Sequence, residues 1–191
     1  MKKTIALLVL IGAAALVLTG CQGNSASALR LQVTAPSTRA TVTEAFVTVS
    51  GIVSEAGASV TVADNPVQVS ADGAFSYEIP LSYGSNRIAV RASEGDRNST
   101  RTLTITRNLV LDVYEPVNNG STPEDVVMVN GMVSDIAARV LVNGTEVTVL
   151  EDGTFSVPVP LYYQTTTMNI STVLEGVDPI TQLVTVSKSL D

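Results

Sequence analysis

The chain has 191 residues, with no histidine, no tryptophan, one cysteine and a formal net charge of −7. The missing histidine excludes Ser-His-Asp and Cys-His catalysis, imidazole proton shuttles and ordinary histidine-containing zinc sites. An acidic balance argues against nucleic acid as a partner, because phosphate binding relies on clustered Lys and Arg.

The chain opens with Lys2 and Lys3, followed by an apolar stretch from Ile5 to Leu18 and then Thr19-Gly20-Cys21. A short positive region ahead of an apolar run below the roughly 20 residues of a membrane span reads as a secretory signal peptide. Its ending, Leu18-Thr19-Gly20-Cys21, resembles the lipobox of bacterial lipoproteins. That resemblance implies cleavage before Cys21 and acylation of the Cys21 thiol and of the new amino terminus. The remainder would then be tied to a membrane outside the cytoplasm, since two or three acyl chains anchor stably where one is marginal. The localisation expected is the cell envelope, and the outer membrane if the organism has one, because Gln22 stands where an inner-membrane retention signal would place Asp. With Cys21 lipidated, no disulfide or thiolate chemistry remains. Loss of residues 1–20 removes two lysines and no acid, leaving nine basic against 18 acidic residues, a net charge near −9. Residues 21–30 are expected to be the lipidated cysteine and a small, polar, flexible tether.

From Leu31 onward the chain repeats itself. Pro36, Gly51, Asp72-Gly73, Phe75, Pro80-Leu81 and Tyr83 recur 80 residues later as Pro116, Gly131, Asp152-Gly153, Phe155, Pro160-Leu161 and Tyr163. Towards the end the offset becomes 81, aligning Thr104–Arg107 with Thr185–Lys188, so one residue is inserted in a loop. A period of this length exceeds the roughly 20–50 residues of a solenoid unit and suits a small domain with its own core. Two domains follow, 31–107 and 111–188, joined by Asn108-Leu109-Val110. That link is short, lacks Gly and Pro, and implies restricted rotation.

Within each repeat apolar residues alternate with polar ones, the period of half-buried strands. In chain order the first repeat offers Leu31 and Val33; Val47, Val49 and Val53; Val60 and Val62; Val67 and Val69; Phe75 to Leu81; Ile88 and Val90; Leu103 and Ile105. Asn143-Gly144 and the two Asp-Gly pairs supply tight turns, because these residues tolerate positive φ. About seven short antiparallel strands per repeat, with no helical period, predict an all-β protein of two tandem immunoglobulin-like β-sandwiches behind a lipoprotein signal peptide.

The motif also resembles bacterial Ig-like modules of the glucodextranase domain-B type. It is clearest in Val127-Met128-Val129-Asn130-Gly131-Met132-Val133, Val140-Leu141-Val142-Asn143-Gly144 and Asp152-Gly153-Thr154-Phe155-Ser156. The first repeat departs at the hairpin, with Ala63-Asp64 in place of Asn143-Gly144. What the resemblance implies is a fold and an exported setting, since such modules serve as spacers and accessory domains in unrelated proteins.

Candidate chemistry is sparse. Paired carboxylates are the one catalytic option left, and Glu124-Asp125, Asp135, Glu151-Asp152, Glu175 and Asp178 all fall at strand ends and turns, where acids solvate and shape loops. Asp112 and Glu115, near the junction, are where inter-domain calcium would sit, but no loop has the acidic density of a dedicated site, and neither metal nor cofactor is expected. Tyr83 and Tyr163 occupy equivalent positions with Tyr162 adjacent, and these three are the candidate contact residues; edge packing is their structural alternative. The function expected is therefore a non-catalytic, membrane-anchored binding, adhesion or spacer protein that contacts an envelope protein or glycan. The alternative is an accessory protein of polysaccharide processing with carbohydrate-binding modules.

Overall fold

The computed structural model describes residues 28–162 and 164–189. The expected signal peptide, with Cys21, and Tyr163 lie outside these residues. The first module contains β1 (Leu31–Ala35), β2 (Thr41–Val42), β3 (Phe46–Val53), β4 (Ser59–Val62), β5 (Asn65–Val67), β6 (Ala74–Pro80), β7 (Gly84–Glu94) and β8 (Arg97–Arg107). The second contains β9 (Leu111–Glu115), β10 (Gly120–Thr122), β11 (Val126–Val133), β12 (Arg139–Val142), β13 (Thr145–Val147), β14 (Thr154–Pro160), β15 (Thr165–Val173) and β16 (Thr181–Lys188). Each module pairs a three-stranded sheet with a five-stranded one: β1-β3-β6 with β2-β8-β7-β4-β5, and β9-β11-β14 with β10-β16-β15-β12-β13. The protein is all-β, and both modules are immunoglobulin-like sandwiches.

Among the described residues each module has eight strands where about seven were expected. The additional ones, β2 and β10, are two and three residues long and run parallel to the last strand of their module. They are too short to show alternation in sequence. Pro36 and Pro116 stand just after β1 and β9, each following a cis peptide bond. With no N–H to donate, proline ends one ladder, and the chain resumes on the opposite sheet.

The alternation predicts the core well. Val49, Val53, Val60, Val62, Phe75, Ile88, Val90, Leu103 and Ile105 are all buried, as are their second-module counterparts such as Val129, Val140, Phe155, Met168 and Val186. The repeated Gly51 and Gly131 are explained by the phenylalanines opposite them in register. A Cβ on Gly51 would stand 2.4 Å from Cζ of Phe75 and 2.4 Å from the Gln32 carbonyl oxygen; Gly131 has the same relation to Phe155 and Asp112. Bare backbone at this point lets the ring lie across the middle strand of the small sheet.

Two segments assigned by sequence to linkers belong to cores. Leu29, placed in the tether, is buried in the first module, and Arg30 N donates to Ser54 Oγ at 3.1 Å. Leu109, placed in the inter-domain link, is buried in the second core, and Val110 N donates to Ser134 Oγ at 2.9 Å. Each module thus begins two residues before its first strand, and the chain passes from one core to the next with almost no free segment. Apolar character in so short a link is itself a reason for burial.

The hairpin at Ala63-Asp64 has the same backbone as its Asn143-Gly144 counterpart: φ is 47° and 65° in the first, 51° and 80° in the second. Asn143 also accepts a hydrogen bond from Asn169 N through its side-chain oxygen at 2.9 Å. Ala63 adopts the left-handed conformation with no such compensation, at a cost of roughly 1–2 kcal/mol for an L residue.

Phe75→Ala and Phe155→Ala should each destabilise by about 3–5 kcal/mol, measured by urea unfolding; a loss below about 1 kcal/mol would contradict their burial. Ala63→Asn should instead raise stability by about 1 kcal/mol, seen as a shift of the same transition to higher urea.

Candidate functional site

The densest polar constellation among the described residues lies where the modules meet. Tyr83 follows the Pro80-Leu81 step that ends β6, and Arg107 is the last residue of β8, so both project from the far end of the first module. Asp135 sits in the turn after β11, at the near end of the second. Tyr83 Oη donates to Asp135 Oδ2 at 2.6 Å, and Arg107 Nη2 donates to the same oxygen at 3.0 Å. The Arg107 guanidinium also lies over the Tyr83 ring, 3.9 Å from its centroid, a cation–π arrangement. Its remaining donors reach the Leu81 carbonyl at 3.3 Å and the Thr43 carbonyl at 3.4 Å.

Burial makes this network matter. The Arg107 and Asp135 side chains are only 12% and 22% exposed, unlike the open surface pairs Arg91–Asp64 and Arg139–Glu146. Exposed ion pairs contribute roughly 0–1 kcal/mol, whereas hydrogen bonds to charged groups away from water are worth about 1.5–3 kcal/mol. Ala137 N holds the other Asp135 oxygen at 3.0 Å, fixing the carboxylate in its turn. The hydrogen bond from Tyr83, then that from Ala137 N, with Arg107 adding to both, keep the Asp135 carboxyl below its usual range despite partial burial. Burial, with Asp135 as hydrogen-bond partner, pushes the Tyr83 hydroxyl up to about 12.

The Tyr83 ring packs against the core of the second module, although the residue belongs to the first. Beside it opens a cleft of about 320 Å³, lined by Tyr83, Arg107 and Leu109 on one side and by Val177, Asp178 and Ile180 on the other. The second wall comes from the 174–180 loop, which is where the repeat breaks. In the first module β7 and β8 run for 11 residues each and turn through Gly95-Asp96; in the second the hairpin is cut short, and Thr172 ties down Ile180 through both backbone and side chain. The inserted residue therefore lies in a segment that faces the neighbouring module.

The sequence-predicted residues are dispersed. Tyr83 is half-buried in the junction, and Tyr162 is 80% exposed at the far end of the second module. Tyr163 and Cys21 lie outside the described residues. Asp72 and Asp152 shape their turns, their carboxyls held below the usual range chiefly by Ser70 and Thr154 hydroxyls. Asp125 pairs with Lys188, and Glu115 accepts from Asn130 Nδ2 at 2.6 Å. Among the described residues no group of three or more His, Cys, Asp or Glu could hold a metal ion. Arg107 and Asp135 were not legible as partners, since nothing in sequence couples the end of one repeat to the start of the next.

Residues 30–109 match the family model described as glucodextranase, domain B. The match covers the first of the two Ig-like modules. No curated protein matches it. Similar solved structures include the fibronectin(III)-like modules of Clostridium thermocellum CbhA, 10% identical with a TM-score of 0.33, over 83% of this chain and 93% of that one. The I9-I11 tandem of titin is 14% identical at a TM-score of 0.39, over 82% and 65%. Sidekick-1 immunoglobulin domains 1–5 are 13% identical at 0.40, over 82% and 38%.

The junction is expected to hold from about pH 4 to about pH 10. A carboxyl lowered in the folded state stabilises fully above its unfolded value, and that contribution disappears as pH falls through the folded value. The raised Tyr83 hydroxyl stabilises below its unfolded value, and this is lost as pH climbs towards about 12. Asp135→Asn should reduce the acid-side dependence, leaving the part due to Asp72 and Asp152, and cost about 1–3 kcal/mol. Calorimetry across pH on wild type and variant checks both statements; identical acid profiles would contradict the assignment.

Proposed function

We propose that this is an exported lipoprotein, anchored to a membrane through Cys21, that works by contact as a binding, adhesion or spacer protein of the cell envelope. The observation that carries the contact reading is the use made of the strongest polar cluster. Arg107, Asp135 and Tyr83 satisfy one another in holding two modules together, which is structural work. The surface left for a partner is sheet edge and loop end, including the outward Tyr162. Aromatic residues of this kind supply contact area at little entropic cost. A module coupled this tightly to its neighbour suits a protein that displays a surface at a fixed distance from its anchor. The lipobox-like Leu18–Cys21 sequence supports the anchor.

A second reading, an accessory role in polysaccharide processing, is favoured by the domain-B match of the first module. In that case Tyr162 would meet a sugar ring rather than a protein side chain.

Cys21→Ser should abolish incorporation of a labelled fatty acid and move the chain from the membrane to the soluble fraction or leave it as precursor; undiminished label would end the lipoprotein reading. Tyr162→Ala should weaken retention of a partner captured from native envelope, or of the chain on insoluble polysaccharide, without shifting the unfolding midpoint. Tyr83→Ala should lower that midpoint.

A further inference from the structure

The two modules differ along one seam, where the edge strand of the small sheet approaches the last strand of the large one. In the second module this seam is stitched: Gln182 Nε2 on β16 donates to the Leu111 carbonyl on β9 at 2.7 Å. The equivalent position in the first module, at the offset of 81, is Arg101. Its guanidinium turns aside to the Thr100 carbonyl at 3.2 Å. Between β1 and β8 there is instead a groove of about 790 Å³, floored by Leu31, Val33 and Leu103 and flanked by Arg30 and Arg101.

Both walls are open strand edges. β1 is the outer strand of its sheet, with β3 on its other side. β8 pairs with β7 along its full length, but β2 covers its other edge only at Thr106 and Arg107, and Arg39 N reaches the Thr104 carbonyl. Among the described residues no strand pairs with that edge from Ser99 to Leu103. An unpaired edge of this kind is a template for a further strand. Charge narrows the choice. The first module with its lead-in is neutral overall, with seven basic and seven acidic residues, but the groove is lined by two arginines, Arg30 and Arg101, and by no acid.

We propose that the β1–β8 groove of the first module binds an extended acidic polypeptide segment, which adds to the free edge of β8 with its apolar side chains inward and its carboxylates towards Arg30 and Arg101. Backbone hydrogen bonds along β8 would supply affinity, and the arginines would select for acid. In the second module the Gln182 side chain spans the same seam, where the first has Arg101. This gives a site to the contact function proposed above and rests on that reading, while lipidation at Cys21 is tested separately.

The experiment uses the full chain in detergent and a fluorescent peptide alternating valine with glutamate, beside a twin alternating valine with lysine. The glutamate peptide should bind and the lysine twin should not, with affinity falling as salt rises. Hydrogen exchange should show new protection in 31–34 and 99–103. Arg101→Gln, which copies the residue already present in the folded second module, should weaken binding about tenfold or more, and Arg101→Lys should largely preserve it. Arg30→Gln should weaken binding in the same direction. Absence of binding, equal binding of the lysine twin, protection elsewhere, or groove amides already protected in the free chain would each overturn the proposal.

Discussion

One partly buried charge governs the arrangement of this protein. The Arg107 guanidinium, 12% exposed, leaves the end of the first sandwich and can be satisfied only by groups converging from both modules: the Leu81 and Thr43 carbonyls behind it, the Tyr83 ring beneath it, and Asp135 across the junction. Removing one partner from such a cluster strands a charge away from water, and that penalty exceeds what the pair contributes by attraction. The interface is therefore intolerant of losing either partner by substitution, and the shared hydrogen bonds fix how the two ends meet. Leu109 and Val110 reinforce it, since the chain is built into the second module as soon as it leaves the first.

The duplication gives this arrangement an internal control. At the far end of the second module, position 188 carries Lys where the first has Arg107, and Lys188 is paired with Asp125 of its own module. The residue equivalent to Asp125 in the first module is Ala45, which has no charge to offer. The first module thus directs its terminal cation across a boundary, and the second neutralises its own. Glu55 stands where Asp135 does in the second module and lies 3.9 Å from Arg97 of its own module. At both outer ends, the groups that form the junction in the middle of the chain are engaged within a single module.

What was legible in the sequence follows the range of the interactions concerned. The buried valines, the Phe–Gly pairs and the turns at Asp72-Gly73 and Asn143-Gly144 declare themselves because strand period and turn conformation are set by neighbours in the chain. Strands β2 and β10 did not, because two or three residues cannot show a period. The Ala63-Asp64 turn is hidden for another reason: its residues are poor in the conformation they adopt, and only alignment with the second repeat gives it away. Tyr83 was visible as a repeated aromatic, yet its role depends on Asp135, 52 residues away in a different module. Contacts between the ends of separate sandwiches leave no periodic trace.

The same distinction explains where the two copies have been free to diverge. Neither Gly51 nor Gly131 can change even with its phenylalanine, because a Cβ there would collide with a backbone oxygen as well as a ring, so the inner residues of the two modules remain matched. Seams, hairpin tips and module ends face solvent or a neighbour, where a substitution costs only what the new contact fails to return. There the copies have become different objects: a long β7–β8 hairpin against a shortened one whose loop lines the junction, and a seam flanked by arginines against one bridged by Gln182. Charge has separated as well. The first module with its lead-in balances seven basic and seven acidic residues, while residues 111–188 hold two basic and ten acidic ones. A strongly acidic module repels its own kind, whereas a neutral one with arginines beside an open groove can receive an acidic strand. Partner choice in a protein of this type is therefore written in the surfaces the fold leaves unconstrained, and the two modules, alike in core, present different surfaces.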